Sequence, residues 1–217
     1  MSRTITVNGT GHAHLLPDLT VISLTISQIN ENYDLALSGN AAAHEKLCGA
    51  LAAIGFAPDA LKTADFNVNT EYRSERAENG EYRSVFAGYR CTQRLTLEFP
   101  FDTRLLSRVL TAVTQTVTEP ELNVQFTVKD KAAAEDLLLQ NAAENARKKA
   151  EVLAKAGGFT LGTLLAVEYH VQDHAMLSRT SYNMEAKCAM MDCGVNMAIT
   201  PEAVDLTDQV TFVWEIL

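Results

Sequence analysis

Alternation of apolar and polar residues is the clearest pattern along this chain. Ile22, Leu24 and Ile26 are separated from one another by hydroxyl-bearing Ser and Thr residues. Residues two apart lie on the same face of a strand, so this stretch predicts a strand with one buried and one wet face. The last strand repeats the pattern with Val210, Phe212, Trp214 and Ile216. Amphipathic strands are therefore expected near both ends of the chain.

A helical period replaces this alternation between Asp130 and Ala156. Small or apolar residues recur there on one helix face: Ala134, Leu138, Ala142, Ala146, Ala150 and Leu153. Asp130 can cap the first turn, and the Gly157-Gly158 pair suits the left-handed residue that ends a helix. At 1.5 Å per residue the helix is about 40 Å long. Its alanine stripe predicts close packing against backbone or against the face of a strand.

The remaining patterns predict two shorter helices and further strands. One helix follows the capping residues Asn30-Glu31-Asn32, another follows Asp102, and a charged ribbon between two strands turns at Asn79-Gly80. The predicted order β-β-α-β-β-α-β-α-β-β indicates an α+β protein, with helices packed on antiparallel sheets. We expect a single domain over residues 1–217, and two α/β sub-lobes that divide near residue 100 are the alternative.

Periodicity fails between Gln172 and Thr200. A segment of this length without regular structure is usually functional or mobile. Methionine adapts to irregular surfaces and is frequent where proteins contact partners. We therefore predict that part of this segment folds over a sheet or lies in a contact between subunits. Five of the six methionines of the chain fall in it and are the predicted interaction residues: Met176, Met184, Met190, Met191 and Met197.

Charge and cysteine usage restrict the partners and the compartment. The chain carries 18 basic and 27 acidic residues, a formal net charge of -9, which opposes binding to nucleic acid. No apolar run is long enough to span a bilayer, and the chain enters a strand pattern directly after Met1 without the features of a signal peptide. The four cysteines are most simply free thiols in a reducing compartment. These features predict a cytoplasmic location.

Two groups of residues suggest chemistry at first sight. Gly9-Thr10-Gly11 lacks the third glycine of a dinucleotide-binding fingerprint, so we interpret it as part of a bulged or twisted strand. Histidine and cysteine residues, which bind soft metal ions, accompany the methionines. Cys188 and Cys193 are spaced too widely for a CxxC motif, and no second cysteine pair accompanies them to complete a zinc site. The candidate metal ligands are His170, His174, Cys188 and Cys193. We assign no catalytic residue and no cofactor.

Several short stretches, taken in order, resemble the SIMPL-domain family. That family is known mainly from bacterial periplasmic or cell-surface proteins and from a mammalian protein associated with a kinase signalling pathway. The resemblance implies an α+β fold with helices on antiparallel sheet, self-assembly in some members, and no agreed molecular activity. This chain departs from many members by lacking a signal peptide and by having Glu202 where glycine is frequent. The matching stretches are Ile5–Gly11, Pro17-Asp18, Gly88-Tyr89, Ala142–Gly158 and Ile199–Glu202.

Together these features favour a non-enzymatic assembly or protein-interaction module of SIMPL type. We expect a homo-oligomer, in which the Met-rich segment contributes to the contacts. The alternative is an enzyme or a soft-metal-handling protein whose site lies near residues 172–200. The sequence assigns no substrate, protein partner or stoichiometry to either reading.

Overall fold

The computed structural model describes residues 3–76, 81–117, 120–184 and 199–217. These residues contain three helices and eight strands, and the strands form two antiparallel sheets. This architecture confirms the predicted α+β class. In chain order the elements are β1 (Arg3–Leu15), β2 (Leu19–Asn30), α1 (Tyr33–Ala53), β3 (Leu61–Arg76), β4 (Tyr82–Pro100), α2 (Thr103–Thr116), β5 (Glu121–Thr127), α3 (Lys131–Gly157), β6 (Leu161–Tyr169), β7 (Leu177–Met184) and β8 (Val204–Ile216).

One strand was not predicted. β7 lies inside the segment for which the sequence predicted no regular structure, so that prediction is wrong for residues 177–184. The less exposed positions of β7 alternate along the strand but begin with the polar residues Ser178 and Thr180, so the strand lacks the apolar alternation by which strands are recognised. The predicted turn at Asn79-Gly80 lies outside the described residues.

The two sheets differ in size. The smaller has the strand order β1-β8-β6 and the larger has the order β3-β4-β2-β5-β7. β1 pairs with β8 without any shift of register, from Arg3 opposite Ile216 to Leu15 opposite Val204. β6 pairs with the other side of β8, with register shifts on either side of Leu164. β8 is therefore the central strand of the smaller sheet, and β1 and β6 are its two edges.

The chain divides into two compact units. The first comprises Met1–Asp18, Thr127–Thr180 and Pro201–Leu217, and it contains α3 and the three-stranded sheet. The second comprises Leu19–Phe126 and Ser181–Thr200, and it contains α1, α2 and β2 to β4. In the second unit both helices pack on the larger sheet over a core that includes Ile22, Leu24, Leu95, Leu97 and Val109.

α3 covers the smaller sheet with its alanine stripe. As predicted, Asp130 caps its first turn by accepting a hydrogen bond from Ala133 N at 2.9 Å, and Gly158 ends it at φ 70°. Leu153, which was predicted to belong to the stripe, is instead 49% exposed, because the spacing of four continues to Ala154. The buried face is formed by Ala134, Leu138, Ala142, Ala146, Ala150 and Ala154.

Gly9 and Gly11 do not lie at a bulge, which was one of the two interpretations of these glycines. β1 is paired continuously through both positions, so neither glycine lies at a bulge. A Cβ atom on Gly9 would lie 2.0 Å from the carbonyl oxygen of Ala142, and one on Gly11 would lie 2.0 Å from that of Leu138. The glycines therefore allow the helix backbone to lie directly on the strand backbone, and the small side chain of Ala146 serves the same contact from the helix.

No described helix combines the length and the apolar character that crossing a membrane requires.

Candidate functional site

The outer edge of β1 is closed by polar side chains of α3. These side chains come from Asn141, Asn145 and Lys149, each of which precedes a residue of the alanine stripe by one position. They consequently lie on the flank of the helix, above the strand edge, one turn apart. We call them the edge-capping residues. Asn141 Nδ2 donates to His12 O at 2.8 Å, Thr10 N donates to Asn145 Oδ1 at 3.1 Å, and Lys149 Nζ donates to Asn8 O at 3.0 Å.

The outer edge of β6 has no such cover among the described residues. β6 ends the strand order of its sheet, and Leu164, Leu165 and Val167 are each about half exposed, at 49%, 50% and 50%. Leu164 pairs with Trp214 and Val167 with Phe212, and both of these partners are buried on the side of the sheet that α3 covers. Cross-strand partners share a face, so Leu164 and Val167 also point to the α3 side. We call this edge, from Leu164 to Tyr169, the open edge.

A buried carboxylate lies on the same sheet face as the alanine stripe. Asp208 is 2% exposed, and its Oδ1 accepts a hydrogen bond from Gln209 N at 2.7 Å. The Tyr169 hydroxyl donates to Asp208 Oδ2 at 3.1 Å, and His174 Nε2 lies 3.4 Å from the same oxygen. Burial and the hydrogen bond to Asp208 raise the pKa of Tyr169. The Tyr169 hydrogen bond connects the end of β6 to β8 and helps to satisfy the carboxylate, whereas His174 Nε2 is buried beside it without a hydrogen bond.

The predicted metal ligands are only partly described. His174 lies beside Asp208, whereas His170 is exposed on the segment that follows β6. Cys188 and Cys193 lie outside the described residues. Among the residues that are described, no three His, Cys, Asp or Glu side chains are grouped so that they could hold a metal ion.

The methionines predicted to form an interaction surface do not lie together in the described residues. Met176 is 3% exposed and packs with Ala134 and Leu138 in the first unit. Met184 packs against the core of the second unit. The other three, Met190, Met191 and Met197, lie outside the described residues. Of the predicted set, Met176 is therefore buried in the core of the first unit, and Met184 is partly buried against the core of the second.

The surface has two further features, a groove in the first unit and a row of aromatic rings in the second. A groove of about 510 Å³ lies between β1 and the last turns of α3, where Val152 and Leu153 follow the edge-capping residues. In the second unit, the paired strands β3 and β4 continue beyond the end of β2, and rings from these strands form an aromatic row with the first residue of α1. Its rings are in edge-to-face contact at centroid distances of 5.3 to 5.9 Å and belong to Tyr33, Tyr89, Phe86 and Tyr72.

The architecture defines an α+β protein in which helices cover two antiparallel sheets, and the smaller sheet has one closed and one open edge. The chain belongs to the SIMPL family, whose model carries the description "Protein of unknown function (DUF541)" and matches residues 5–214. This match confirms the resemblance inferred from the ordered short stretches. A comparison with curated proteins finds no match.

Proposed function

We propose that this chain is a non-enzymatic protein-interaction module that binds an extended segment of a protein along the open edge of β6. The observation that carries the proposal is the exposure of aliphatic side chains on an edge strand of the smaller sheet. An uncovered apolar edge presents backbone donors and acceptors as well as side chains that lose contact with water when another strand is added. Such groups bind a partner without reacting with it.

The opposite edge of the same sheet supports this proposal. Along β1, three side chains of α3 form hydrogen bonds with backbone groups that an added strand would need for pairing. Proteins usually protect edge strands against unwanted pairing by covers, charges or bulges. β6 has a bulge near Leu165, but its stretch from Ala166 to Tyr169 is in regular register with β8 and carries a single charged side chain, that of Glu168. The edge is therefore suited to specific strand addition.

The Met-rich segment has a narrower place in the proposal than its sequence suggested. Because Met176 and Met184 pack in their own units, the contact proposed for the methionines of this segment rests on Met190, Met191 and Met197. Homo-oligomeric assembly and a cytoplasmic location belong to the same proposal. The interaction at β6 depends on neither.

Strand addition can be tested with a generic partner. The probe is a soluble peptide of alternating Thr and Val with terminal lysines, and the readout is hydrogen exchange of the full chain. We expect the peptide to slow exchange of the amides in residues 164–169 and to leave residues 8–12 of β1 unchanged, since that edge is closed. Equal protection of both edges, or none at β6, would contradict the proposal.

A further inference from the structure

We infer that a cavity between α1 and the edge of the larger sheet binds a small aromatic amine, with a neutral donor of the ligand on Asn40 and its ammonium group near Glu45. The cavity has a volume of about 360 Å³, and the described residues that line it all belong to the second unit. Sites for small molecules commonly have volumes of about 300–1,000 Å³. This inference is independent of strand addition at β6, which concerns the first unit.

The cavity lies where the helix layer ends above the larger sheet. α1 packs on β2 and β4, and β3 continues the sheet by one more strand as its edge. Phe66 of β3 lies opposite Gln93 of β4, and both side chains line the cavity together with α1. Phe66 is 50% exposed, whereas Gln93 is buried and donates from Nε2 to Thr63 Oγ1 at 2.9 Å. α1 and Phe66 are therefore the two walls, and Gln93 belongs to the floor.

A buried amide with an unpartnered oxygen completes the floor. Asn40 is 1% exposed and lines the cavity, and its Nδ2 donates to Ile26 O and to Cys91 O, both at 3.4 Å. Only the NH₂ group of an amide can face two carbonyl oxygens, so the orientation of the side chain is fixed and Oδ1 points away from these carbonyls. Oδ1 accepts no hydrogen bond from the described residues. A buried acceptor in this condition favours a ligand that supplies a donor.

The donor that suits Asn40 is a neutral one. An ammonium group at the floor would lose most of its water, and the floor residues Asn40 and Gln93 are uncharged, so its burial would be costly. A phenol O–H or a ring N–H loses far less hydration and satisfies the amide oxygen with one hydrogen bond. We therefore assign a hydroxyl or N–H group on a ring to the inner end of the ligand.

The charge at the rim of the cavity selects the outer end of the ligand. Glu45 is exposed and is the one acidic residue among the described residues that line the cavity, and these include no lysine or arginine. His44, which also lines it, has its Nε2 3.7 Å from Cys48 Sγ. The whole chain carries a formal net charge of -9, which also favours a cation over an anion. An ammonium group beside an exposed Glu45 keeps contact with water, so its desolvation is small.

Apolar groups lie between the floor and the rim. Leu37 and Ala41 are one turn apart on α1 and line the cavity together with Phe66. The small side chain of Ala41 leaves space there for a flat ring, which would pack against the ring of Phe66. From floor to rim the site therefore matches a donor, an aromatic ring and an ammonium group, in that order.

The test is a titration of the ¹⁵N-labelled full chain, followed by ¹H–¹⁵N NMR, with three ligands that share one ring. Tyramine carries both the phenol and the ammonium group, phenethylamine lacks the phenol, and 3-(4-hydroxyphenyl)propionate has a carboxylate in place of the ammonium group. We expect tyramine to bind with a dissociation constant on the order of a millimolar or below. It should shift the side-chain amide of Asn40 and the backbone amides of residues 37–45, but not those of residues 145–153 in α3.

The two other ligands measure the two ends of the site separately. Phenethylamine should bind about three- to tenfold more weakly than tyramine, which is the effect of one neutral hydrogen bond. The propionate should not bind measurably, because its carboxylate would lie beside Glu45.

Matched variants locate the site on α1. Ala41→Leu fills the space for the ring and should weaken tyramine binding at least tenfold. Ala42→Leu is the same change at the next exposed position, which is not among the cavity-lining residues, and it should bind like the parent. Glu45→Gln should weaken tyramine by a factor of about two to five, as expected for an exposed ion pair. Circular dichroism of each variant establishes that it is folded.

Four outcomes would overturn the inference. They are the absence of shifts in residues 37–45 at millimolar tyramine, equal affinities for tyramine and phenethylamine, binding of the propionate as tight as that of tyramine, and binding that persists in Ala41→Leu. Each would leave strand addition at β6 intact, since the Thr/Val peptide tests a different unit.

Discussion

The two edges of the smaller sheet have opposite surroundings. At β1 the backbone groups of Asn8, Thr10 and His12 are bonded by side chains of α3, whereas at β6 aliphatic side chains remain half exposed. Both strands pair with β8, so the contrast does not come from the sheet. It comes from the position of the helix, which contacts β1 extensively and reaches β6 only slightly.

Small residues explain why α3 lies towards β1. Gly9 and Gly11 leave no side chain between strand and helix, and the alanine stripe leaves almost none on the helix side. The backbones can therefore meet, and the flank of the helix reaches the strand edge. The same displacement leaves Leu164 and Val167 without a cover within the unit. Closing one edge and opening the other are thus consequences of one packing contact.

The largest expected effect comes from filling that contact. In Gly9→Ala the new methyl group would lie 2.0 Å from the carbonyl oxygen of Ala142, a distance that no rotation can relieve because both atoms belong to fixed backbone positions. We expect a loss of at least about 3 kcal/mol in the free energy of unfolding, measured in urea, as α3 is displaced.

Gly49→Ala is the matched control for this variant. Gly49 lies in α1, and a Cβ there would meet nothing within 4 Å. Because alanine favours a helix over glycine, the control should be unchanged or more stable by up to about 1 kcal/mol. A Gly9→Ala protein as stable as the parent would show that α3 does not rest on the β1 backbone.

A smaller effect should follow from opening the β1 edge. Asn145→Ala removes the acceptor of the Thr10 amide, which should cost about 1–2 kcal/mol if the amide stays shielded and less if water reaches it. We expect hydrogen exchange at Thr10 to accelerate at least tenfold and exchange in β6 to stay as it was. Gln140→Ala, exposed on the same helix, is the control. If Thr10 exchanges at the parental rate, the edge is protected by something other than the edge-capping residues.

Local signals explain which parts of this fold could be predicted from the sequence. Asp130, Gly158 and the alanine stripe act within α3 or at its ends, so the helix was predicted almost to the residue. β7 was missed because polar residues, Ser178 and Thr180, occupy the first positions that turn towards the core, so its sequence has no apolar period. β7 is a strand because it pairs at the end of the larger sheet, and the local sequence does not indicate this pairing.

The edges of the smaller sheet could not be predicted for a related reason. β1 pairs with a strand about two hundred residues later, and no local pattern states that Asn141, Asn145 and Lys149 will lie over its free side. The apolar residues of β6 were recognised as a strand, and such a pattern usually indicates burial. Their exposure depends on how far α3 extends across the sheet, and that is decided by Gly9 and Gly11, more than a hundred residues away along the chain.

The smallest effect concerns Tyr169, which ends the open edge and donates its hydroxyl to Asp208. Tyr169→Phe should lower the free energy of unfolding by about 1 kcal/mol at neutral pH, since the buried carboxylate loses one donor. The pKa of Tyr169 is raised above its reference value of 10.0 by burial and by the bond to Asp208, so the folded state favours the neutral phenol. The contribution of the hydroxyl is therefore fully present below pH 10 and is lost as the pH rises through the folded pKa. Urea unfolding of parent and variant from pH 8 to pH 11 should show their difference shrinking at the alkaline end, while Tyr82→Phe, which alters an exposed ring, should track the parent throughout. A difference that stays constant to pH 11 would mean that folding does not raise the pKa of Tyr169.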